Sequence, residues 1–211
     1  MEYRVEKDSM GEMRVPVDSF YGASTQRAVL NFPVSDKRFS RVFLEALGAV
    51  KAASASANMK LGKLDPALGE PIRKAALAVR DGEYDAHFVV DIYQTGSGTS
   101  THTNANEVIA NAANVGLGEP IGKKSPVHPN DHVNMGQSSN DVIPTAIHVS
   151  AVLDIERSLL PALDALEDEL ERMLGRVDAT EEILDVVRRW AHDRGLQIGV
   201  QSLKGLLGAA A

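Results

Sequence analysis

Two short stretches gather hydroxyl, amide and glycine residues just ahead of segments patterned as helices: Gly96-Ser97-Gly98-Thr99-Ser100-Thr101 and Gln137-Ser138-Ser139-Asn140. The free N–H groups that open a helix, with the positive end of its dipole, favour a carboxylate or a phosphate. Glycine lets backbone approach a ligand closely, and Ser, Thr and Asn add neutral donors. Two such loops brought together would hold a small molecule with a negative group at each end. A dicarboxylate is the simplest ligand of that kind. The same residue types also serve as ordinary helix caps and flexible turns, so composition leaves both readings open. A P-loop is disfavoured, because no Gly-Lys-Ser or Gly-Lys-Thr occurs.

Between the loops stands His128-Pro129-Asn130-Asp131-His132-Val133-Asn134. Two histidines and an aspartate raise the question of a metal. His-x-x-Asp-His across a proline does not put the three on one helical face, and a proline-interrupted turn accounts for Asn130-Asp131. Neither a metal nor another cofactor is expected. His87, His102 and His148 stand apart from one another and are expected to be structural or exposed.

The elements that must position these loops are mostly helical. Tyr3 to Val17 alternates around Met10-Gly11, which predicts a hairpin or extended arm. Phe43, Leu47, Val50, Ala53 and Ala57 recur at helical steps and predict a helix over Ser40–Leu61. Asp65-Pro66 reads as an N-cap with proline at the first position of a helix from Ala67 to Val79, closed by Asp81-Gly82. After a loop from Asp91 to Thr103, a helix is expected from Asn104 to Val115, stopped by Gly116 and Gly118. A polar loop over Gly122–Asn140 precedes a long helix from Asp141, with Pro144 in its first turn. Leu159, Leu163, Leu166, Leu170 and Met173 step 4-3-4-3, a bundle seam, and Pro161 predicts a kink or restart. Asp178 and Glu181 are spaced as a cap pair for one more helix carrying Ile183, Val187 and Trp190. The fold class is therefore mainly α. An N-terminal helical domain with a short hairpin arm (residues 1–140) leads to the first long helix of a truncated central helical bundle (141–174), then a divergent tail (175–211).

Bulk properties narrow the function. Aromatics are only 5% of the chain against 44% hydrophobic residues overall, which suits helix on helix better than a sheet sandwich. A net charge of -7 gives no electrostatic footprint for nucleic acid. Cysteine is absent, so disulfides and thiolate chemistry are excluded. The charged start Met1-Glu2-Tyr3-Arg4 has no apolar stretch behind it and no run suits a membrane span, so a cytoplasmic chain is expected.

Taken in order, four stretches resemble the fumarase/aspartase superfamily, and within it class II fumarase. They are Glu6 to Gly11 with Val15-Pro16, Tyr21 to Arg27 and Asn31-Phe32-Pro33; Gln94 to Thr99 with Asn104 to Asn111; His128 to Asn134; and Gln137 to Asp141 with Pro144-Thr145-Ala146 and His148. The likeness runs from about Tyr3 to Met173. It implies a homotetramer whose active sites form where three subunits meet, and a dicarboxylate substrate, fumarate or (S)-malate. It also implies that Ser97, Gly98 and Thr99 contact one end of the substrate and Ser138, Ser139 and Asn140 the other region of the same site. His128, Pro129, Asn130 and Asp131 match the family's second, non-catalytic dicarboxylate site. Aspartate ammonia-lyases share much of this pattern but tend to carry Asn for His128 and Thr for Ser139, so aspartase is the alternative active reading.

Hydration of fumarate needs a base at carbon, a group that activates water, and donors for the aci-carboxylate intermediate. In the family these duties fall on a later Gly-Arg-Thr-His motif and a mobile Gly-Ser-Ser loop. Neither motif occurs here, so no catalytic residue is assigned and this chain alone is expected to be inactive. Glu182 to Val187 resembles what precedes Gly-Arg-Thr-His, and Arg188-Arg189-Trp190 then departs from it. Without partner helices the leucine seam would be an exposed apolar stripe that drives self-association or aggregation. The alternative from a different class is a non-catalytic helical module that binds a dicarboxylate or a partner chain.

Overall fold

The computed structural model describes residues 2–174 and, past them, Asp185, Val186 and Arg189. Strands β1 (Tyr3–Asp8) and β2 (Gly11–Pro16) pair antiparallel from Tyr3↔Pro16 to Asp8↔Gly11, the hairpin predicted around Met10-Gly11. The Asp8 carboxylate accepts the Met10 N–H and, at 2.8 Å each, Nε and Nη2 of Arg27. Arg27 lies on helix α1 (Ala23–Asn31), which the apolar periodicity did not signal. Its N-terminus has no local capping side chain. Glu107 serves instead, accepting N–H groups of Gly22, Ser24 and Thr25 at 2.8, 3.1 and 3.1 Å. A carboxylate there satisfies orphan donors and meets the positive helix end.

Helix α2 (Arg41–Lys60) starts at Ser40, whose hydroxyl accepts the Phe43 N–H. Helix α3 (Pro66–Arg80) starts at Asp65, whose carboxylate accepts the Ala67 N–H. Both starts follow the sequence. The pair packs antiparallel and close: a Cβ on Gly48 would lie 2.5 Å from the Arg80 nitrogen and 2.8 Å from the Ala76 carbonyl oxygen. Only glycine permits that approach.

Helix α4 (Thr99–Gly116) is buried almost throughout, asparagines included. Those side chains splint backbone that has no ladder of its own. Asn104 bonds the His87 carbonyl and the Val89 N–H, Asn111 the Phe20 carbonyl and the Gly122 N–H, and Asn114 both backbone groups of Val127. The core behind it joins Leu44, Leu47, Ile72, Val79, Val108 and Ile109.

Helix α4 begins five residues before the expected Asn104, and helix α5 (Ser139–Asp154) two before Asp141. Hydroxyl-rich openings have poor helix propensity, and burial of Thr101 and His102 overrides it. Pro144 therefore falls in the second turn of α5 rather than the first.

The chain divides into two compact units, Met1–Asp154 and one from Ile155 onward. In the second, a π-type turn at Ile155–Leu159 leads into α6 (Leu160–Leu174), with Pro161 at the second position, where the sequence predicted an interruption. Leu159, Leu163 and Leu166 are 49–54% exposed. The helix expected around Ile183 and Trp190 falls almost wholly outside the described residues. Among the described residues no helix is long and apolar enough to cross a membrane.

Candidate functional site

The first loop turns into α4 at Gly98, whose φ of +71° is left-handed. A Cβ there would be strained and would sit 2.8 Å from Ile143 Cγ2 on α5, so glycine allows both the turn and its seat against that helix. The α4 start is closed from upstream by the buried side chain of Gln94. Its Oε1 accepts the Ser100 N–H at 2.9 Å and its Nε2 donates to Thr101 Oγ1.

The second loop enters α5 through Ser138, whose hydroxyl accepts the Asn140 N–H at 3.3 Å while its carbonyl accepts the Val142 N–H at 2.9 Å. Ser138 is thus already in use as a cap. Ser139 faces the other loop: its Oγ lies 3.1 Å from Thr99 Oγ1, which lies 2.9 Å from Ser97 Oγ. Of the six residues singled out in these loops, Ser97, Thr99 and Ser139 make one run of hydroxyls within a single chain. Gly98 supplies the turn beneath them, and Asn140 is exposed beside them.

A buried cation underlies this meeting point. Lys51 of α2 is 1% exposed, with Nζ 2.6 Å from His102 Nε2 and 2.8 Å from Gln137 Oε1. His102 is one turn into α4 from Thr99, and Gln137 is two residues before Ser139. Gln137 in turn donates through Nε2 to the Val133 carbonyl at 2.8 Å. Burial pulls the Lys51 ammonium down to about 7. Burial, and then the Lys51 charge, pull His102 down to about 4. A neutral His102 that accepts at Nε2 carries its proton on Nδ1.

The residues between the loops form a π-type turn over Pro129–Val133, with Pro129 and Val133 buried and Asp131 exposed. His128 starts it, its Nδ1 accepting the Asp131 N–H at 3.2 Å and lying 3.1 Å from the Asp131 carboxylate. These contacts belong to opposite protonation states, since an Nδ1 that accepts from the backbone carries no proton to share. His132 Nδ1 accepts the His128 N–H at 2.9 Å. One ring nitrogen of each histidine is therefore spent on the turn, and among the described residues no group of three or more His, Asp or Glu is arranged to hold a metal ion.

Lys51, the closing role of Gln94 at the α4 start and the pairing of Gly98 with Ile143 escaped the sequence reading. For Lys51 a signal existed: it stands four residues after Leu47 and four before Ala55, both buried on α2, so a lysine interrupts an inward stripe. A separate cavity of about 320 Å³ lies between Phe32, Ser35, Asp36, Arg38, Val89 and Asp91, away from the predicted residues.

Comparison with known proteins adds the following. A family model described as "Lyase" matches residues 11–183. The chain is 54% identical over 170 residues to a class II fumarate hydratase of Xylella fastidiosa, covering 81% of this chain and 35% of that protein. It is 50% identical over 192 residues to a class II fumarate hydratase of Halobacterium salinarum, covering 91% and 40%. Among solved structures, recombinant class II fumarase from Schistosoma mansoni aligns with a TM-score of 0.77 and 38% identity over 82% of this chain and 36% of that one. The chain thus spans roughly 35–40% of the length of the curated relatives.

Proposed function

The chain belongs to the lyase family, and on that premise we propose that it carries the substrate-holding portion of a fumarate hydratase site, gripping fumarate or (S)-malate between Ser97-Gly98-Thr99 and Ser138-Ser139-Asn140. The observation that carries this reading is the 3.1 Å approach of Thr99 and Ser139, which joins the starts of α4 and α5 at one point. Two helix N-termini with neutral hydroxyls suit a diacid at each end without a metal ligand set. Such donors hold substrate and stabilise negative charge on its carboxylates as the aci-carboxylate develops. Proton transfer at carbon and activation of water require groups of the Gly-Arg-Thr-His and Gly-Ser-Ser kind, which this sequence does not contain.

His128, Pro129, Asn130 and Asp131 are assigned to a second, non-catalytic dicarboxylate site. A cytoplasmic location and assembly into a homotetramer belong to the same proposal. A second reading, a non-catalytic helical assembly module, draws on a different observation: the apolar residues exposed on α5 and on α6, Ile147, Val152, Leu163 and Leu166 among them.

The test is a fumarate titration of the isotopically labelled 211-residue chain, followed by the amide signals of Thr99 and Ser139, beside an absorbance assay for fumarate loss. Saturable shifts at both residues with no turnover are expected. Unmoved signals at saturating fumarate would remove the diacid site, and malate formation would overturn the assignment of proton transfer to groups outside this sequence.

A further inference from the structure

Lys51 is the most deeply buried charged side chain among the described residues. A buried ammonium is costly unless an anion or several acceptors offset it. Both hydrogen-bond partners of Lys51 are neutral acceptors, the His102 ring at 2.6 Å and the Gln137 amide oxygen at 2.8 Å. Among the described residues no carboxylate pairs with it, and burial alone accounts for its lowered proton affinity. The titratable groups on the elements packed against α2 are turned elsewhere. On α3, Glu70 pairs with Arg73, Arg80 pairs with Asp81, and Lys74 is exposed. On α5, Asp141, His148 and Asp154 are exposed. The single acid of α4, Glu107, is committed to the start of α1. In the turn after Val127, His128 and Asp131 engage each other and His132 engages the His128 backbone.

Both acceptors belong to the segments that make the site. His102 is three residues after Thr99 and Gln137 two before Ser139, so one ammonium ties the α4 start to the α5 start. We propose that Lys51 is the positioning cation of the diacid site, its missing counter-charge being the dianionic ligand held by the loops above it; this rests on the diacid reading given under the proposed function. The ligand and the proton on Lys51 then stabilise each other. Binding a dianion raises the proton affinity of the ammonium, so above neutral pH the complex takes up a proton that the free chain lacks. Reciprocally, the dissociation constant for fumarate is flat below the free-state titration near 7. It then climbs by up to about tenfold per pH unit until the bound-state titration is reached. His102, held down to about 4, stays neutral through that range and acts as acceptor only.

The experiment is calorimetric titration of the 211-residue chain with fumarate at pH 6 and pH 8, in two amine buffers of unequal ionisation enthalpy and free of carboxylate and phosphate. Lysine side-chain nuclear resonances, assigned through Lys51→Arg, identify the group that changes. Expected are about one proton taken up per fumarate at pH 8, close to none at pH 6, and a shift of the Lys51 resonance on binding. Lys51→Arg, which keeps its charge, should bind with no uptake and no rise of the dissociation constant over this range. The wild-type arms stand even if that variant fails to fold, because an unshifted lysine resonance set on binding is itself decisive. Fumarate binding without proton uptake at pH 8, or with uptake that leaves every lysine resonance unmoved, overturns the role of Lys51 and leaves the diacid site intact. No fumarate binding at either pH overturns both.

Discussion

The hydroxyls of Thr99 and Ser139, forty residues apart in sequence, stand 3.1 Å from each other across the starts of two helices. Neither is buried, so their hydrogen bond competes with water and leaves both free to turn toward a ligand. Ser139→Ala should weaken fumarate binding by about fivefold, the size of one neutral hydrogen bond, with little change in the melting temperature. Calorimetry and a thermal melt on the same sample check this. A drop in melting temperature as large as that of a core mutation would place Ser139 in the scaffold instead.

Gly98→Ala tests how the first loop is seated. An alanine at φ +71° costs about 1–2 kcal/mol, and its methyl group would press into Ile143. We expect a total loss of about 2–4 kcal/mol in urea denaturation, together with weaker fumarate binding. Pairing it with Ile143→Ala should return the overpacking part and leave the backbone part, so the two substitutions should be non-additive.

Glu107→Ala removes the acceptor of three N–H groups at the start of α1, of which those of Gly22 and Thr25 are buried. A destabilisation of about 3 kcal/mol is expected, and Glu107→Gln, which keeps one oxygen, should cost less. Exchange of the Gly22, Ser24 and Thr25 amides should accelerate ahead of those in α2.

Two groups in contact give stability a stepped dependence on pH. His102 has its folded value depressed to about 4 from an ordinary 6.5, so the unfolded chain binds the extra proton as pH falls through that window and stability is lost there. Lys51 is depressed to about 7 from an ordinary 10.5, so between those values the unfolded chain again holds the extra proton. Stability should therefore rise from pH 7 toward 10 by at most about 1.4 kcal/mol per unit from this group. Urea midpoints from pH 5 to 9 for wild type and Lys51→Met check the sign. The variant should lose the alkaline rise.

Leu163→Glu with Leu166→Glu bears on assembly. Both leucines are about half exposed on α6. If that face is what other chains cover, the double variant should elute at lower mass than wild type by light scattering, with α1 to α5 intact by circular dichroism. An unchanged mass would move the self-association elsewhere.

Where a cue was local, the sequence was sufficient. Asp65 caps the helix it was expected to cap, the helix expected from Ser40 starts at Arg41 with Ser40 as its cap, and the turn around Met10-Gly11 closes the hairpin. The two loops were recognisable because glycine and hydroxyl residues cluster there, although composition could not separate a cap from a ligand contact. In the structure the tasks divide within one tripeptide: Ser138 caps α5, while Ser139 meets Thr99. Cues carried by distant residues were not readable. The α1 start is made by Glu107, and the early start of α4 depends on Gln94 and on burial of Thr101 and His102. Lys51 was legible only as a lysine out of place on an apolar stripe.

Three of the four asparagines of α4 have a kinetic consequence. Because Asn104, Asn111 and Asn114 each hold a different irregular segment, around Val89, Gly122 and Val127, those segments cannot come loose independently of the helix. Deuterium should enter them in step with one another, at the pace set by α4, although they look like ordinary loops. The stretch that carries the first glycine-rich turn is in this way the mandrel on which the rest of the first unit is wound.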